Sequence, residues 1–181
     1  MKKNLAFSII GRDRPGIVAG ISRALLRTGC NIEDSSMTLL RSEFAMILIV
    51  SVPSGVKVDT VVTQLEAAAR ALGLSCFVRP LKTAEHSMEK QSGSPWVLSV
   101  YGADKPGIVH AVSALLARRG INITNVQTKV TGSAGRPAYC MFLEIFIPVR
   151  MAVPALKKAL AGAATRLNVT INLNPADFTM L

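Results

Sequence analysis

The chain repeats itself. Gly11-Arg-Asp-Arg-Pro-Gly-Ile-Val18 returns as Gly102-Ala-Asp-Lys-Pro-Gly-Ile-Val109, and Gly29-Cys-Asn-Ile32 returns as Gly120-Ile-Asn-Ile123. Both recurrences lie 91 positions on, and between residues 8 and 32 thirteen of 25 positions are identical without a gap. Average composition gives roughly one or two such identities by chance. A duplication therefore fills the 181 residues with two copies of one small unit. The polar stretch Lys82 to Ser94, closed by Pro95, reads as a linker. The expected organisation is a first domain over 1–82, a linker over 83–94 and a second domain over 95–181.

Each copy carries the same alternation of apolar patterns. In the first, Leu5 to Ile10 predicts a strand ending at Gly11, and Pro15 suits the first turn of a helix. Val18, Ile21 and Leu25 recur at helical spacing, and Gly29 stops that helix. Asn31 to Leu40 and Phe44 to Val52 read as strands joined in a hairpin. Val58, Val61, Val62, Leu65, Ala69 and Leu72 mark a second amphipathic helix before a last strand, Leu74 to Leu81. The second copy repeats the series, with a longer hairpin loop at Gly132 to Pro137. The order β-α-β-β-α-β is the ferredoxin-like unit. The fold class expected is α+β: two antiparallel four-stranded sheets, each with helices on one face. The faces or edges left open need cover, so the copies are expected to pack together, and a homodimer is expected as well.

Composition narrows the function. No apolar run approaches the ~20 residues of a membrane span; the longest, Phe44 to Val50, is strand-sized. No secretory signal is expected in the first residues, whose apolar stretch is too short, and the three cysteines, Cys30, Cys76 and Cys140, are scattered. A reduced, cytoplasmic protein without a metal site is the expectation. Twelve basic residues against eight acidic in 1–90, and nine against three in 91–181, give a net charge of +10 without a basic tail. That charge permits attraction to polyanions. Ferredoxin-like RNA-binding sheets stack bases on strand aromatics, yet Tyr139, Phe142 and Phe146 do not share one face. No catalytic arrangement appears: His86 falls in the linker, and His110 lies on a helix where the first copy has Ala19. The chain is expected to be no enzyme and to need no cofactor.

The chemistry resides in the repeated motif. Gly16 and Gly107 carry no side chain, so backbone N–H groups at the helix start can meet an anion such as a carboxylate. Asp13 and Asp104 beside them can accept from an ammonium group. Asn31 and Asn122 offer both a donor and an acceptor. A free amino acid joins an ammonium and a carboxylate on one carbon, and the constellation fits that zwitterion. The same residues also suit a plain helix cap and turn.

The pattern Gly-x-Asp-[Arg/Lys]-Pro-Gly-Ile-Val, then a helix, then Gly-x-Asn-Ile, resembles the ACT domain, a family of small modules that bind amino acids. Residues Gly29 to Phe44 are similar to the tandem-ACT transcriptional repressors of bacteria. The resemblance implies a ligand held between two domains, by the helix-start loop of one and the strand after Gly-x-Asn of its neighbour. That places Asp13, Arg14, Gly16, Ile17, Asn31 and Ile32, with Asp104, Lys105, Gly107, Ile108, Asn122 and Ile123, at candidate ligand sites. It implies a small amino acid of the glycine or serine class as ligand and a transcription regulator as protein partner. Serine-sensing relatives have Asn where this chain has Asp13 and Asp104. The runner-up readings are a basic nucleic-acid-binding regulator and a structural adaptor without a ligand.

Overall fold

A computed structural model describes residues 3–81, 92–131 and 138–176. The chain divides into two compact units, Met1–Glu89 and Lys90–Leu181. The first holds β1 (Lys3–Arg12), α1 (Ile17–Arg27), β2 (Asn31–Leu40), β3 (Glu43–Val52), α2 (Val58–Ala71) and β4 (Leu74–Leu81). The second holds β5 (Gly93–Ala103), α3 (Ile108–Ala117), β6 (Asn122–Thr131), β7 (Ala138–Pro148), α4 (Val153–Leu167) and β8 (Val169–Pro175). The sheets run β2-β3-β1-β4 and β6-β7-β5-β8, and every neighbouring pair is antiparallel. This is the ferredoxin-like α+β architecture, twice.

Each unit has its own core. In the first, alternate residues of the two central strands point the same way: Leu5, Phe7 and Ile9 from β1, Phe44, Met46, Leu48 and Val50 from β3. Ile17, Ile21 and Leu25 of α1 and Val61, Leu65 and Ala69 of α2 close over them at helical spacing. In the second, Leu98, Val100, Met141, Leu143 and Ile145 meet Ile108, Val112, Leu116, Leu156 and Leu160. The opposite face of the first sheet keeps Ile10, Ile47 and Phe77 exposed.

The starts of α1 and β5 differ from the sequence reading. Pro15 lies in the turn before α1, not in its first helical turn, and Ile17 rather than Val18 enters the core. Gly16, left-handed at the N-cap, leaves Pro15 outside the helix, and Ile17 shares the face of Ile21 and Leu25 at i, i+4, i+8 spacing. Strand β5 begins at Gly93, so Gly93 and Ser94 pair with Pro148 and Ile147 instead of belonging to a linker. Linker residues 83–91 and the hairpin loop 132–137 lie outside the described residues.

The glycine that leads each motif serves packing. A Cβ on Gly102 would stand 2.7 Å from Val169 Cγ1 and 3.3 Å from its Cα, and one on Gly11 would stand 2.8 Å from Leu74 Cδ2. A glycine here lets the first strand of each unit lie close to the last. Gly102→Ala is expected to destabilise the second unit by about 1–3 kcal/mol through overpacking. Denaturant unfolding of the full chain checks this: an unmoved midpoint would contradict the close approach.

Candidate functional site

The helix starts of α1 and α3 are built alike. Gly16 and Gly107 each sit at the N-cap with φ of 95°, a conformation that costs an L-residue about 1–2 kcal/mol. Neither helix has a side-chain cap. The first intrahelical bonds run from Gly20 N–H to the Gly16 carbonyl and from Ala111 N–H to the Gly107 carbonyl, both at 2.9 Å. The amides of residues 17–19 and 108–110 thus precede the ladder and have no acceptor within their helices. Together with the helix dipole they make a positive end suited to a carboxylate.

The side chains around these starts have distinct placements. Asp13 and Asp104 are exposed. The Asp13 amide donates to the Ser42 carbonyl at 2.8 Å, tying the loop to the β2–β3 turn. Arg14 Nη2 donates to the Ala71 carbonyl at 3.2 Å, so this guanidinium answers the negative end of α2. Ile17 and Ile108 are 2% exposed; their side chains belong to the core, and only their amides remain to meet a ligand. Their neighbours Val18 and Val109 stand exposed instead. At the start of α3 a hollow of about 580 Å³ is walled by Asp104, Lys105, Pro106, Gly107, Ile108, Val109, His110 and Tyr139. Small-molecule sites commonly measure about 300–1,000 Å³.

Tyr139 escaped the sequence reading of this site. It is 8% exposed, and its hydroxyl is buried without a hydrogen-bond partner. Burial raises its pKa, and the nearby Asp104 carboxylate raises it further, so it remains a donor at neutral pH. Register exposes the difference between the units: Tyr139 pairs with Gly102, and Phe44 pairs with Gly11. The first unit therefore has a phenyl ring where the second has a phenol. The constant offset of 91 ends before this strand, since the two hairpin loops differ in length.

Asn31, Ile32, Asn122 and Ile123 lie at the other end of their units. Helix α1 has 11 residues, so Gly16 and Asn31 are separated by about 16 Å of helix. No single unit brings its own helix start and its own asparagine together. Both asparagines are exposed and lead directly into a register shift, between Ile32 and Asp34 and between Ile123 and Asn125. Such bulges re-aim edge side chains. Asn122 also borders a hollow of about 630 Å³ with Gly120, Pro148, Val149 and Arg150.

Other chemistries find little support among the described residues. No group of three or more His, Cys, Asp or Glu there could hold a metal ion, and no helix is long and apolar enough to cross a membrane. His86 lies outside the described residues, and His110 is exposed. Cys30 is half-buried against the first core. Cys76, beneath α2, has its pKa raised to about 11 by burial and by Glu66, which keeps it a thiol at neutral pH. Tyr101 and Phe142 meet edge to face, centroids 5.6 Å apart, on the open face of the second sheet.

Comparison with known proteins gives this geometry a family. Models described as ACT domain match residues 4–79 and residues 96–161. The chain is 26% identical over 177 residues to the glycine cleavage system transcriptional repressor of Escherichia coli (strain K12), covering 97% of this chain and 91% of that protein. It is 46% identical over 74 residues to UPF0237 protein MJ1558 of Methanocaldococcus jannaschii, covering 40% of this chain and 81% of that one. The crystal structure of an unknown protein from Galdieria sulphuraria is similar with a TM-score of 0.81 and 29% identity, covering 97% of this chain and 99% of that chain. With both repeats matched and the ferredoxin-like topology present in each, the chain belongs to the ACT domain family, carrying two such domains in tandem.

Proposed function

We propose that this protein is a non-catalytic, cytoplasmic regulator that senses a small amino acid at an ACT-domain interface and acts on a protein partner, such as a transcription regulator. One observation carries the reading: the same uncapped helix start, opened by a left-handed glycine and flanked by an exposed aspartate, occurs in both units. The ligand's carboxylate meets the amides of the first helical turn, and its ammonium meets Asp13 or Asp104. Asn31 or Asn122 of a neighbouring domain completes the site. A homodimer supplies further such neighbours. Glycine and serine are the favoured ligand class, and likeness to a glycine cleavage repressor supports a regulatory role.

Signalling needs only differential binding. A ligand that prefers one of two arrangements biases them by its difference in affinity, typically about 1–3 kcal/mol. Titration calorimetry of the full chain against glycine, L-serine and then the other protein amino acids tests the proposal. Saturable binding of at least one is the expected result. Heat from none, with a salt-sensitive shift of DNA or RNA on a gel, would replace sensing with direct nucleic-acid binding.

A further inference from the structure

We propose that Tyr139 donates its hydroxyl hydrogen to the carboxylate of the amino acid bound at the start of α3, which makes the second unit the tighter of the two sites. The inference rests on the amino-acid-sensing reading above and adds a specificity-determining residue to it. Three observations meet at this point. The amides of residues 108–110 lie before the first intrahelical bond and have no side-chain cap. Tyr139 is 8% exposed, and its oxygen is buried without a partner. Both features belong to the wall of one hollow of about 580 Å³.

A buried hydroxyl with no acceptor is unfavourable, and native structures rarely retain one without a reason. The wall gathers several donors: main-chain N–H, phenolic O–H and the Lys105 ammonium. A carboxylate, with about four lone-pair sites, satisfies several of them at once. Asp104 is the complement. It acts on Tyr139 electrostatically, raising its pKa after burial has done so, yet forms no hydrogen bond with it. It stays available for the ammonium. A ligand carboxylate near Asp104 is repelled by it, and the extra donor offsets that repulsion. In the first unit Phe44 occupies the matching register position and is 1% exposed. Arg14 there is turned to the end of α2. The first site therefore has the amides and Asp13 but not the hydroxyl.

Tyr139→Phe tests this cleanly, since it installs the side chain the first unit already uses. Full-length wild type and variant are titrated calorimetrically with each of the twenty protein amino acids, and both are melted without ligand. The expected result is a ten- to hundredfold weaker affinity for whichever amino acid binds, the scale of one hydrogen bond to a charged group. The ligand-free variant should melt at the same temperature or higher, because an unsatisfied buried hydroxyl has gone. Unchanged affinity would overturn the role of Tyr139 while leaving amino-acid sensing intact. Weaker binding with a lower melting temperature would assign Tyr139 to structure and overturn the proposal. Wild type that binds none of the twenty would overturn the sensing reading and this proposal together.

Discussion

Phe7→Ala is expected to remove about 3–5 kcal/mol from the stability of the first unit. Phe7 is fully buried in β1, between Leu48 of β3 and Val78 of β4 in the register of the sheet. Ile17, Ile21 and Leu25 belong to the same cluster from above. Truncation loses the transfer free energy of the ring and leaves a cavity that the surrounding strands cannot close. Whole domains are stable by only about 5–15 kcal/mol, and a unit of this size lies low in that range. The variant should lose most of its margin. Phe77→Ala is the matched control, because Phe77 is 65% exposed on the other face. That change should stay within about 0.5 kcal/mol. Urea unfolding followed by circular dichroism reads both; equal losses would contradict the assignment of faces.

The second large effect concerns binding. Asp13→Ala combined with Asp104→Ala is expected to weaken amino-acid affinity by about ten- to a hundredfold, the scale of a hydrogen bond to a charged partner. Both side chains are exposed and neither caps its helix, so the fold should tolerate their loss. Removing a negative charge near a helix N-terminus costs only about 0.3–1 kcal/mol. Calorimetry with the ligand of the wild type, beside a melting curve of the free variant, separates the two effects. Undiminished affinity in a folded variant would move the ammonium contact elsewhere.

The repeat made most of the fold legible. Two copies of one pattern gave the element order, and β2, spanning Asn31–Leu40, coincides with the stretch read from the sequence. What escaped was conformation that composition does not encode. The pair Pro15-Gly16 reads equally as a first helical turn or as a turn before it. Only the φ of Gly16 decides, and it places Pro15 outside the helix; the buried residue is Ile17, in line with Ile21 and Leu25, and not Val18. The bulges after Ile32 and Ile123 were invisible for the same reason, since no residue type demands them. At the candidate site, the motif pointed to Asp104 and Gly107 because they stand three residues apart in one short segment. Tyr139 lies 32 positions beyond Gly107, on a different strand, and only pairing with Gly102 brings it to the helix start. Arg14 sat inside the motif but faces the end of α2, a partner 57 residues away.

The central claim is that main-chain amides at the starts of α1 and α3 hold the carboxylate of an amino acid. Amide-resolved NMR of the full-length, ¹⁵N-labelled protein tests it most directly, with glycine and L-serine titrated in separately. The account predicts saturable shifts at the amides of Ile108, Val109 and His110, and at those of Ile17, Val18 and Ala19 only at higher ligand concentration. Saturable shifts confined to other parts of the chain, with all six of these amides unmoved, would contradict it.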